Sequence, residues 1–207
     1  MIYNDLSIIL PEIFLSLYVM VALVGAVYTS KDEIAQKVTW LTAFVFILLA
    51  FWMIFSEAQT AIAFGGMFIN DAFSRFSKII ILLSGAVVLI MGQDYMGRRG
   101  FLKFEYPLIL AFSVVGMMVM VSAGDLMAFY MGLELQSLAL YIIVAFNRDS
   151  LKSTEAGLKY FVLGALSSGL LLYGSALTYG YSGTTLFNGI LENVNVNSPP
   201  IGLLFGL

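Results

Sequence analysis

The 207-residue chain contains neither cysteine nor histidine. Their absence excludes disulfides, thiolate-held iron–sulfur clusters, haem on its usual ligands and the common zinc sites. Any redox chemistry here would need an organic cofactor. Charge is scarce too: 11% of residues are charged, ten basic and thirteen acidic, against about 25% in a soluble domain. So few charges cannot cover a water-facing surface. No GxGxxG or GxxxxGK[ST] follows a predicted strand, so nothing is ready to cradle a dinucleotide or a nucleoside triphosphate. No basic run with interleaved aromatics points to nucleic acid as a partner. What the chain has in abundance is apolar surface. Its residues are 60% hydrophobic, and they arrive in runs of about 20, the helix length that crosses a bilayer's hydrocarbon.

The low-charge stretches define six spans, 6–28, 37–56, 72–91, 106–123, 126–146 and 155–180, and a seventh begins at Pro199 and is cut short at Leu207. The expected fold is therefore all-α: a polytopic transmembrane helix bundle of six full spans plus the start of a seventh. It forms a single transmembrane domain over 1–207. A chain that halts inside an apolar run reads as the N-terminal part of a longer protein. The first span is not a cleavable signal peptide, because Asp5 and Glu12 stand where a basic region belongs and no small-residue cleavage pattern follows. Pro11 and Glu12 read as the first turn of its helix, where a missing N–H is harmless and a carboxylate meets the positive end of the dipole.

Basic residues of the short loops set the orientation. Lys31, Lys37, Arg98, Arg99, Lys103, Arg148 and Lys152 all fall in the loops after spans one, three and five. The opposite loops, 57–71, 124–125 and 181–198, contain no Lys or Arg. The N-terminus is thus expected outside and the basic loops in the cytoplasm. Within 57–71, Gly65, Gly66 and Asn70 suit a short hairpin; 181–200, rich in Gly, Asn and Ser, reads as an exposed connection.

A charge at mid-bilayer costs at least about 2.5 to 3.5 kcal/mol, so each one demands a partner, a proton or water. Glu134 lies eight residues into span five and, at about 1.5 Å per residue, about 18 Å from its cytoplasmic end. Tyr130, Ser137 and Tyr141 stand at minus four, plus three and plus seven from it. One helical face therefore carries a polar stripe amid Leu, Met, Phe and Ala, a possible polar path. Glu134 reads either as a proton carrier switched by its surroundings or as a carboxylate held by one lysine or by hydroxyls as a packing device. Lys159, near the start of span six, forms a favourable i,i+4 pair with Glu155 and is close enough to the end to snorkel. Gly164, Ala165, Ser168 and Gly169, flanked by Gly157 and Gly174, read as a close helix-packing seam. Asp71, Arg75 and Lys78 form an i, i+4, i+7 line at the start of span three, expected to be an interfacial ion pair with a snorkelling lysine. Trp40 and Trp52 suit interfacial anchors.

Four stretches carry a resemblance: ILPEIFLS from Ile9 to Ser16, GLELQSLALYI from Gly132 to Ile142, AFNRDSLKSTEAGLKYF from Ala145 to Phe161, and VLGALSSGLLLYG from Val162 to Gly174. Through them the chain resembles the subunit N family of bacterial NADH-quinone oxidoreductase (complex I), one of the antiporter-like membrane subunits. The resemblance implies a far longer protein of about fourteen helices that moves protons along a line of buried charges. It implies that Glu134 matches the family's key acidic site on the fifth helix and Lys159 a lysine on the sixth. The broken seventh helix and the lysines of the seventh, eighth and twelfth would lie beyond Leu207. It further implies a multi-pass protein of the bacterial inner membrane, in contact with lipid, protons and other complex I membrane subunits. Those other subunits would hold NADH, flavin, iron–sulfur clusters and quinone, with no cofactor in this chain and no redox step of its own. A subunit of a cation/proton antiporter without a redox partner is the alternative.

Overall fold

In hydrocarbon a chain can satisfy its own backbone only as helices or as a closed barrel. The computed structural model of the chain, which describes residues 2–28, 34–56, 60–193 and 200–206, accordingly consists mostly of helix. In chain order these are α1 (Ile2–Ile8), α2 (Leu10–Tyr28), α3 (Ala35–Phe55), the strands β1 (Ala61–Ala63) and β2 (Phe68–Asn70), then α4 (Ala72–Arg99), α5 (Glu105–Val121), α6 (Leu126–Val144), α7 (Leu151–Ser182), α8 (Phe187–Asn193) and α9 (Ile201–Gly206). Five of them, α2, α3, α4, α6 and α7, are long and apolar enough to cross a membrane, and α5 is a shorter apolar helix of 17 residues. The expected fourth span, 106–123, is therefore a helix at the short end of the usual crossing length, and five of the six expected spans have a helix long enough to cross.

Local chemistry explains the boundaries. Pro11 has no N–H to give Ser7, and the helix breaks at Ile9 between α1 and α2. Asp71 opens α4 with a capping box: its carboxylate accepts from the Ser74 N–H at 2.7 Å while the Ser74 hydroxyl accepts from the Asp71 N–H at 2.9 Å. Asp125 caps α6 without the reciprocal bond, its carboxylate accepting from the Ala128 N–H at 2.6 Å. The expected hairpin forms between β1 and β2, which pair antiparallel around a turn in which Gly65 and Gly66 adopt positive φ. Residues 57–59 of that loop lie outside the described residues.

α5 is the axis of the bundle. It packs against α2, α3, α4 and α6, and Leu108, Ala111 and Met118 along it are wholly buried. Around it close Leu15 and Val19 of α2, Phe46 and Leu49 of α3, and Leu82 and Leu89 of α4. α5 and α6 cross with backbones touching: a Cβ built on Gly116 falls 2.7 Å from the Gly132 carbonyl oxygen, and one on Gly132 falls 2.8 Å from that of Gly116. This crossing brings backbone against backbone, whereas on the seam expected on α7 Gly157 and Gly164 meet side chains. That seam is divided in the structure: Gly157 lies under Ala145, Gly164 under Tyr141 and Gly174 under Gly206, whereas Gly169 faces open space. A valine at Gly132 must push two helices apart. Overpacking of this kind costs about 1–3 kcal/mol, so Gly132→Val is expected to lower the thermal midpoint of the purified protein and its yield in membranes.

At one end of the bundle the three loops without Lys or Arg meet. Phe68 of the hairpin bridges Ala123, the Ile69 N–H donates to Ser122 O at 2.8 Å, and the Gly124 N–H donates to Met67 O at 2.8 Å. On its other side the same loop joins the end of α7, with Leu126 N–H to Thr185 O at 3.0 Å and Phe187 N–H to Gly124 O at 3.1 Å. The connection after α7, expected to be exposed, is thus partly docked. It also forms α8, whose Ile190 is buried. Residues 194–199, including Pro199 at the start of the expected seventh span, lie outside the described residues, as does Leu207. α9 runs along α7.

Candidate functional site

The polar stripe on α6 is built by helical spacing alone, four residues between Tyr130 and Glu134, and it points at α7. There the Ser168 hydroxyl meets both of them: Ser168 Oγ donates to Glu134 Oε1, and the Tyr130 hydroxyl lies 3.1 Å from Ser168 Oγ. Glu134, Tyr130 and Ser168 are all half-buried. Among the described residues no lysine or arginine forms an ion pair with Glu134. The carboxylate is held by the Ser168 hydroxyl, which can hold it in either protonation form, since a hydroxyl both donates and accepts.

The rest of the stripe is split by its neighbours on α7. Tyr141 stands its ring edge-on to Tyr160 and Phe161, with centroids 4.8 and 5.7 Å away, and its hydroxyl end lies over Gly164. Ser137 sits half-buried between the two contacts. Lys159 is not brought to Glu134. Its Nζ bonds Glu155 Oε1 at 2.6 Å on a side chain that is 71% exposed, and nine residues, about 13.5 Å of helix rise, separate it from Ser168. Ser168 itself was read as a packing residue; a hydroxyl facing a mid-helix carboxylate from the next span is the signal that could have marked it.

A second charged site lies near the hairpin, and here the sequence expectation is corrected. Lys78 does not snorkel: it is 1% exposed, with its Nζ 2.6 Å from Glu12 Oε1, a carboxylate equally withdrawn from solvent. Nor is Asp71 chiefly an ion-pair partner, since it caps α4, and Arg75 Nη1 donates to Ser56 O at 2.8 Å. Two buried charges that each need a partner find each other, one from α2 and one from α4. The ammonium also lies 4.7 Å from the ring centroid of Phe68. A cavity of about 210 Å³, lined in part by Ser7, Asn70, Trp52 and Arg75, opens beside Lys78. The clue in the sequence was depth: Glu12 and Lys78 each stand a turn or two inside the same end of their spans. Trp40 and Trp52 both lie on the outward face of α3. Among the described residues no three Asp or Glu converge in a way that could hold a metal ion.

Comparison with known proteins agrees with this architecture. Residues 123–207, from the loop before α6 onward, match the family described as NADH:quinone oxidoreductase/Mrp antiporter, TM. The whole chain is 60% identical to NADH-quinone oxidoreductase subunit N of Jannaschia sp. (strain CCS1), and 98% of it is 57% identical to the subunit N of Rhodobacter capsulatus. The chain is a relative of NADH-quinone oxidoreductase subunit N. It spans 43% and 42% of the length of those two proteins. Its fold is also that of a chain in respiratory complex I from Thermus thermophilus, with a TM-score of 0.70 over 95% of this chain and 42% of that one, at 23% identity. The resemblance to subunit N therefore extends past the four quoted motifs to the loops and the hairpin.

Proposed function

We propose that this chain is the N-terminal part of a membrane subunit of the proton-pumping NADH-quinone oxidoreductase, and that it takes part in proton translocation driven by electron transfer from NADH to quinone. The observation that carries this reading is a carboxylate at mid-span, Glu134, held by the Ser168 hydroxyl, which Tyr130 in turn contacts, and by no cation among the described residues. A mid-membrane carboxyl marks a functional site by default, and proton relay is one of the uses such groups serve. Similarity to subunit N over the whole chain supports the same reading. α5 then counts as a sixth crossing helix despite its 17 residues, and α9 as the start of a seventh.

In this reading electrons stay in other subunits, which hold NADH, flavin, iron–sulfur clusters and quinone. This chain binds and releases protons at Glu134 as the charge or hydration beside it changes. Ser137 and Tyr141 extend the polar stripe toward the basic end and Tyr130 toward the hairpin end, and the Glu155–Lys159 pair offers a second ionisable element to whatever covers that face of α7. The basic loops face the cytoplasm of a bacterial inner membrane, and the hairpin and N-terminus face the periplasm.

Ser168→Ala removes one hydrogen bond to the carboxylate. Such bonds between membrane helices contribute about 0.6 to 2 kcal/mol, so assembly is expected to persist and pumping to fall severalfold, measured as protons moved per electron in proteoliposomes. The test of the function itself is to purify the assembly through this subunit. NADH-driven, quinone-dependent acidification of vesicles, together with co-purifying flavin and iron–sulfur subunits, is the expected result. Sodium-dependent proton exchange without NADH would instead make it an antiporter subunit, the second reading, which the family matched by residues 123–207 also includes.

A further inference from the structure

We propose that Lys78 is a positioning residue for Glu134, acting through the hairpin. The inference rests on the functional reading above. The chain of contacts is continuous. Lys78 is clamped between the Glu12 carboxylate at 2.6 Å and the Phe68 ring at 4.7 Å. Phe68 is itself buried and belongs to β2, whose neighbours bond residues 122–124 at 2.8 Å from both sides of the strand's start. One residue further, Asp125 caps α6 and accepts from the Thr185 hydroxyl at 3.2 Å, tying in the end of α7. The helix that carries Glu134 and the helix that carries Ser168 thus both hang from one platform. A buried ion pair fastens that platform to α2 and α4.

The junction tolerates little movement. A Cβ on Gly124 would lie 2.0 Å from Gly66 O, so hairpin and loop are in backbone contact and shift together. Phe64 at the hairpin turn holds a φ of 52°, an uncommon value for a side chain of that size, which fixes the turn's course. Releasing Phe68 from the ammonium lets the platform relax, and the register of α6 against α7 relaxes with it. The Glu134–Ser168–Tyr130 contact depends on that register because it joins two side chains of α6 to one of α7, with Glu134 nine residues below the cap.

The experiment uses the full-length subunit in the assembled complex. Two variants break the clasp without leaving a lone charge: Phe68→Leu removes the ring, and Glu12→Gln with Lys78→Met removes both ions. Phe68→Tyr keeps the ring as a control. The readouts are protons moved per electron and the infrared carboxyl band of Glu134, identified by its loss in Glu134→Gln. Both clasp variants are expected to shift that band and to lower the proton ratio at least twofold with NADH oxidation retained, while Phe68→Tyr matches the parent. An unshifted band and an unchanged ratio in assembled variants would overturn the proposal and leave the pair a packing device. Should the double variant fail to assemble, Phe68→Leu decides alone, since both charges remain paired in it. Failure of the functional reading is seen separately, as absence of NADH-linked pumping in the unaltered complex.

Discussion

Replacing Lys78 with methionine is expected to remove most of the assembled subunit from membranes. The substitution keeps the length and volume of the side chain but strands the Glu12 carboxylate, 3% exposed, with no counter-charge. Breaking a buried pair by deleting one partner costs about 3–5 kcal/mol, whereas replacing both with neutral groups of similar volume is often close to neutral. Glu12→Gln should fail similarly by stranding the ammonium, and the double variant should recover. The measurement is the amount of subunit in detergent-solubilised complex, compared across the two single variants and the double. The pattern matters more than any single value: two severe losses and a recovery assign the effect to uncompensated charge. Three equal losses would mean that the side chains matter for shape instead.

Glu134→Gln should leave the complex assembled and abolish or nearly abolish the pumping that passes through this subunit. Glutamine keeps the shape and can still accept from Ser168 through its carbonyl oxygen, so the contact between α6 and α7 survives. It cannot take up or give back a proton. The structural cost is that of one weakened hydrogen bond, a charge-assisted one exchanged for a neutral one, about 1 kcal/mol. The functional loss is complete for the step that requires titration. Proton movement into vesicles during NADH oxidation, normalised to electrons transferred, separates the two. Glu134→Gln and Lys78→Met therefore fail in opposite ways, the first in transport with assembly intact and the second in assembly.

The two sites differ in how far the sequence announced them. Glu134 was legible because a charge in the middle of an apolar run violates a strong rule, and its flanking tyrosines fell on one face by simple helical spacing. Its actual partner was not, because Ser168 sits among glycines and alanines whose spacing also describes a packing seam, and spacing cannot say which neighbouring span a hydroxyl will meet. Lys78 was placed at the interface because a lysine two turns inside a span has a stem long enough to reach out. That argument treats one helix at a time. Only the packing of α2 and α4 against α5 brings Glu12 within reach of Lys78, and pairing then wins over snorkelling. The Gly116·Gly132 crossing went unseen because one small residue on each of two helices leaves no pattern within either. The loops fared better: glycines marked the hairpin turn, and the absence of Lys and Arg grouped the loops that bond to one another at one end of the bundle.

If the chain moves protons as proposed, Glu134 changes its proton occupancy while the complex works. Infrared difference spectroscopy of the assembled complex, comparing resting and turning-over states in water and in deuterium oxide, tests this directly. The expected result is a carboxyl band that appears or disappears with turnover, shifts on deuteration and is missing in Glu134→Gln. A Glu134 signal that stays in one ionisation form throughout turnover, in a complex pumping at full rate, would contradict it.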